Sequence, residues 1–110
     1  MSTSSELETW LIEVGAAIIE KQADRGAAVL TPRERLIHCL WVADYGMRNA
    51  GDLVTAADLY ADFQDEGARM SAQLGLGVTR TAFELPTGVL QDRYFDLFDR
   101  MCEEIRAAAD

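Results

Sequence analysis

Leu90, Tyr94, Leu97, Phe98, Met101 and Ile105 recur at the three- and four-residue spacing that lines one face of an α-helix. A stripe of this kind constrains the fold strongly. Apolar residues repeating about every 3.6 positions cannot share one face of a strand, so they are buried by packing helix on helix. Pro86 and Thr87 precede this stripe and suit a helix start.

Three further segments carry the same period. Ser5-Glu6-Leu7-Glu8 matches a capping box, and Leu7, Trp10, Leu11, Val14 and Ile18 follow at helical spacing until Gly26. Thr31-Pro32-Arg33-Glu34 joins an N-cap threonine, a proline at the first helical position and a glutamate at the third. The helix it opens is predicted to reach Asn49, with Gly51 ending it. A third helix is predicted from Thr55, with Asp58 in the capping-box position and Val54 and Leu59 as a hydrophobic staple. Its apolar line is Leu59, Tyr60, Phe63, Gly67, Met70 and Leu74, and the Leu-Gly-Leu-Gly run at 74–77 ends it.

The segment 78–85, Val-Thr-Arg-Thr-Ala-Phe-Glu-Leu, alternates weakly, but no second strand is available to pair with it. It reads as an ordered connection that drops Phe83 and Leu85 into the core. The expectation is therefore an all-α fold, a compact four-helix domain over 1–110 with one ordered non-helical connection. Its core is predicted to hold Trp10, Leu36, Leu40, Trp41, Phe63, Met70, Leu97, Phe98 and Met101.

One residue contradicts the helical pattern. Leu36, Ile37, Leu40 and Met47 share a face of the second helix, and Asp44 stands in the middle of it. A buried carboxylate without partners costs on the order of several kcal/mol, so Asp44 is either satisfied or placed where the face opens. In the first case it braces the turn beyond the helix through Arg48, Asn49 and the backbone near Gly51. In the second it lines a cleft with Trp41 and Arg48 that receives a ligand or a partner's side chain. The stretch 30–53, with Thr31, Trp41, Asp44, Asn49 and Gly51, resembles the opening signature of a family of small acidic helical bacterial proteins. A well-known member of that family is a DNA mimic that binds a transcriptional repressor. Ala50 and Asp52 stand where the family pattern has a glycine and an aromatic residue. The resemblance implies an all-helical fold and action through surface acidity.

Acidity has a pattern here. Formal net charge is −9, from 19 Asp and Glu against 10 Lys and Arg. Such a chain repels nucleic acid and anionic membrane, so an electrostatic partner is a basic protein surface. Asp92, Asp96, Asp99 and Glu103 fall within about 60° of arc, opposite the apolar stripe of the last helix. Asp58, Asp62 and Asp65, flanked by Glu66, repeat the arrangement on the third, and Asp52 to Glu66 contains five acids and no base. One stripe spaces its charges about 4.5 to 6 Å apart, against about 3.4 Å per phosphate step, so two stripes are needed to approach the charge density of DNA. The same stripes also suit a merely solvated surface, with Arg93, Arg100 and Arg106 neutralising part of the last helix.

Enzymatic chemistry has little to stand on. His38 is the lone histidine, no Glu-x-x-His pair or phosphate-binding loop is present, and Cys39 and Cys102 lie apart on helical faces. The reading is a non-enzymatic protein with no cofactor and no metal, cytoplasmic because the N-terminus lacks a signal peptide and no stretch suits a membrane span. Two function classes stay open: an acidic mimic, inhibitor or immunity or anti-defence factor, and a helical adaptor or ligand-binding module using the Asp44 cleft. Ile12, Ala16 and Ile19 form an apolar second side of the first helix, with Gly15 between them where another backbone could approach; its expected cover is either the 78–85 connection folded over it or the same helix of a second copy, which makes a homodimer.

Overall fold

Thr31 accepts from the amide of Glu34 while Glu34 accepts from the amide of Thr31, so the predicted capping box forms in full. It opens α2 (Pro32–Asn49), the central helix of a fold described over residues 3–109 by a computed structural model. Around it are α1 (Ser4–Arg25), α3 (Val54–Leu59), α4 (Phe63–Leu74), α5 (Gly77–Glu84) and α6 (Thr87–Ala107), with one 3₁₀ turn at Ala27–Val29. The described residues contain no strand. The all-helical expectation holds, with six α-helices among the described residues where the sequence suggested four.

Two segments account for the difference. The expected third helix breaks at residues 60–62, where Tyr60 turns to an extended backbone and Phe63 donates back to its carbonyl. Neither glycine nor proline causes this break. The turn carries the Tyr60 ring to His38, with centroids 5.4 Å apart. The expected non-helical connection is α5. Its first amides, Val78 and Thr79, are capped by the Glu104 carboxylate of α6 at 3.1 and 2.7 Å, and the Thr79 hydroxyl donates to the same group. Phe83 is buried as expected, and Leu85 packs half-buried against the core.

Helix ends differ in detail. Thr3, not Ser5, caps α1 by accepting from the Glu6 amide. Asp52, not a Thr55–Asp58 box, caps α3 by accepting from the Thr55 amide. Val54 and Leu59 are both exposed, so they form no staple into the core. Gly26, Gly51 and Gly75 end α1, α2 and α4 in positive-φ conformations that suit glycine.

The core is continuous across α1, α2, α4, α5 and α6. Leu36, Leu40, Phe63, Leu97, Phe98 and Met101 are buried as predicted, and so is the whole apolar stripe of α6. Trp10, Trp41 and Met70 are only half-buried at its margin. Gln64 pins the α5–α6 junction by donating to the carbonyls of Phe83 and Leu85 and accepting from Thr87. Arg33 donates to the Ile105 carbonyl, tying the start of α2 to the end of α6. No helix among the described residues is long and apolar enough to cross a membrane.

Candidate functional site

Asp44 is 5% exposed on the core side of α2, and both its carboxylate oxygens have a hydrogen-bond partner. Arg48 Nε lies 3.0 Å from both oxygens, and the buried Tyr94 hydroxyl donates to Oδ1 at 2.7 Å. Burial holds the Asp44 carboxyl above its ordinary value, with Tyr94 and Arg48 pulling the other way, and the Tyr94 hydroxyl is raised by the same desolvation. Asn49 donates to the Tyr45 carbonyl instead of to Asp44, so the turn contributes only Arg48 to this acid.

Arg48 connects three helices. Its guanidinium stands 3.4 Å from Glu8 of α1 and lies over the rings of Phe95 and Phe98 of α6, 5.1 and 4.8 Å from their centroids. Beside it opens a cleft of about 340 Å³ lined by Glu8, Ile12, Trp41, Asp44, Tyr45, Arg48 and Asn49. Trp41 and Tyr45 stack at 5.6 Å along one wall. Trp41 packs closely against α1 because residue 15 is glycine: a Cβ there would run into the indole. Gly15 is thus filled by this chain's own tryptophan and is not open to another backbone.

No protein-family model, curated protein or solved structure matches this chain.

The surface acids divide. Asp58, Asp62, Asp65, Asp92, Asp96 and Glu103 are exposed, and Asp52 is occupied as the α3 cap. Because the helix breaks between them, Asp58 and Asp62 do not continue one stripe; Asp62 and Asp65 flank the start of α4 instead. Asp99 is partly covered, with a buried Oδ1 that has no hydrogen-bond partner. Glu66 does not belong to the surface set. It is 7% exposed, accepts from the Cys39 thiol at 3.3 Å and pairs with Arg35 at 3.4 Å. Burial and the Glu66 charge push the Cys39 thiol far up, and the neighbouring Tyr60 hydroxyl rises to about 12 for the same two reasons. This cluster joins α2 to α4 and keeps Cys39 as an unreactive thiol. Desolvation lowers the nearby His38. Arg93 and Arg100 make no ion pair with the α6 acids among the described residues.

Of the first helix's outer side, Ile12 and Ala16 are exposed and Ile19 is half-buried. The 78–85 segment packs on α4 and α6 and leaves Ile12 open. Among the described residues, no group of three or more His, Cys, Asp or Glu is placed to hold a metal ion. Sequence reasoning missed Tyr94, Glu8, Tyr45 and Phe95 as parts of one site. Tyr94 carried a usable signal: a tyrosine inside a core stripe needs a partner for its hydroxyl, and Asp44 needs a donor.

Proposed function

We propose that the protein is a non-enzymatic acidic binding protein of the cytoplasm, needing no cofactor. It occupies a basic surface of another protein, a nucleic-acid-binding surface included, as a DNA mimic, inhibitor or immunity or anti-defence factor does. The observation that carries this reading is the set of exposed acids without counter-ions. Asp58, Asp62, Asp65, Asp92, Asp96 and Glu103 have no basic group within 4.0 Å among the described residues, although Arg93 and Arg100 lie on the same helix as three of them. Unpaired carboxylates keep their field for a partner, raise association rates and disfavour anionic neighbours. The resemblance of residues 30–53 to a family with a DNA-mimic member points the same way.

The test is a pull-down with the parent and with Asp58→Lys/Asp62→Lys/Asp65→Lys, each at low and high salt. A partner retained by the parent, released steeply by salt and lost by the triple variant supports the reading. A partner held equally by both proteins at high salt overturns it.

A second reading has its own support in the cleft around Trp41, Asp44 and Arg48, which suits a helical adaptor or ligand-binding module. The exposed Ile12 also supports a homodimer through Ile12, Ala16 and Ile19. Sedimentation equilibrium of the parent against Ile12→Glu/Ile19→Glu tests that assembly, and a monomeric parent removes it.

A further inference from the structure

Exposed large apolar side chains gather around one residue. Ile12 (49% exposed) and Tyr45 (42%) line the cleft beside Arg48, and Phe95 (52%) lies under the same guanidinium. With half-buried Trp41 as a floor, they form an apolar surface shared by α1, α2 and α6. Contiguous exposure of this kind marks a contact surface more often than scattered single residues do.

The rim carries one sign of charge. On α1, Glu8 lies one turn before Ile12 and Glu13 immediately after it. On α6, Asp92 and Asp99 stand one turn to either side of Phe95, and Asp96 follows it. Arg48 is the only base within the surface just described, and its guanidinium is engaged by Asp44 and Glu8. The rim therefore has acids in excess: Arg93 and Arg100, one turn to either side of Asp96, line the groove on the α5 side of α6 instead. We infer that this face docks a basic amphipathic helix, which seats an apolar side chain against Trp41, Tyr45 and Ile12 and aims lysines or arginines at the α1 and α6 acids. Helix-in-groove recognition supplies the apolar anchors, and the rim selects for a basic flank. A second copy fits worse, because a two-fold contact through this face sets its acids against the same acids. The inference rests on the reading of the protein as an acidic binder of basic partners, and adds an apolar anchor at a site outside α3 and α4.

The probes are two synthetic peptides of identical leucine and lysine content, one ordered to give an amphipathic helix and one scrambled to have no apolar face. Binding is followed by Trp41 fluorescence in a Trp10→Phe background and by calorimetry. The parent should bind the amphipathic peptide about tenfold or more tighter than the scrambled one, the difference expected from seating one large apolar side chain. Ile12→Glu/Phe95→Glu should abolish that preference, although it makes the face more acidic; circular dichroism checks that the exposed substitutions leave the helices intact. Equal or tighter binding by this variant shows attraction by charge alone and overturns the inference. Loss of binding in Asp58→Lys/Asp62→Lys/Asp65→Lys, with full binding kept in the glutamate variant, also overturns it while leaving the proposed function standing. A parent that sediments as a dimer, becomes monomeric in the glutamate variant and ignores both peptides assigns the face to a second copy instead.

Discussion

Tyr94 Oη donates to Asp44 Oδ1 at 2.7 Å, joining α6 to α2 inside the core. The contact resolves the acid on an apolar face: Asp44 is buried because a tyrosine from a distant helix and an arginine from its own next turn both satisfy it. Tyr94→Phe leaves the carboxylate buried with one donor fewer and should cost about 1 to 3 kcal/mol. Asp44→Ala strands the Tyr94 hydroxyl and frees Arg48. The double variant should cost clearly less than the two singles together, because the second change removes a group already left without its partner. Urea unfolding of the four proteins measures this, and additive losses would mean that the contact carries no coupling.

Stability should respond to pH through the same acid. The Asp44 carboxyl is raised above its ordinary 3.8, chiefly by burial. The native state thus holds the proton more tightly than the unfolded chain, and Asp44 adds stability as pH falls through its raised pKa toward 3.8. Glu34 acts oppositely. The Thr31 amide and Lys21 hold it below 4.5, so its contribution is present above 4.5 and disappears as pH falls through its lowered pKa. Comparing the parent with Asp44→Asn cancels the Glu34 effect. The parent should gain on the variant between neutrality and the ordinary aspartate range, as read from urea midpoints; a gap that shrinks on acidification contradicts the raised carboxyl.

Local signals in the sequence identify α2 almost completely, because its cap, its proline and its glycine stop all act within a turn of the helix ends. They identify the α6 stripe equally well, since burial there follows period alone. What local reasoning loses is set by distant residues. The α5 amides are capped by Glu104, some 25 positions on, so Val78-Thr79 reads as alternation in the sequence while folding as a helix. The break at Tyr60 brings its ring to His38 on α2, and nothing at residues 60–62 announces it. The candidate site divides in the same way. Asp44 and Arg48 are legible as an i, i+4 pair, whereas Glu8 and Phe95 join them only once α1 and α6 have docked. Glu66 shows the converse error. Counting acids along the chain put it on the surface, and its Cys39 and Arg35 partners on α2 place it inside.

Two glycines should respond differently to the same added methyl group. At Gly46 a Cβ would meet backbone, Asp52 O at 2.7 Å and Ala56 N at 2.9 Å, so α3 cannot stay where it is. At Gly15 the obstacle is the Trp41 side chain, which is half-buried and has solvent to turn into. Gly46→Ala should therefore lower stability by about 1 to 3 kcal/mol through overpacking. Both changes gain helix propensity, but Gly15→Ala should cost less because a side chain can yield where backbone cannot, and it should shift Trp41 fluorescence as the indole leaves α1. A larger loss at Gly15 than at Gly46 would show that the tryptophan is the more rigid neighbour.

The long-range cap on α5 offers the most local test of how this fold is held. Glu104 accepts from the Val78 and Thr79 amides and from the Thr79 hydroxyl, three bonds on one carboxylate at the end of an eight-residue helix. A helix this short is marginal by itself and depends on packing and caps. Glu104→Ala leaves those donors without an acceptor, and a loss of about 1 to 3 kcal/mol is expected. Glu104→Gln keeps one acceptor oxygen and should fall between parent and alanine. Hydrogen exchange locates the effect. Amides of α5 should lose protection well before those of α2, whose capping box and proline are untouched. Uniform loss across both helices would mean that Glu104 supports the whole core, and unchanged exchange in α5 would mean that Phe83 and Ala82 hold the helix by packing alone.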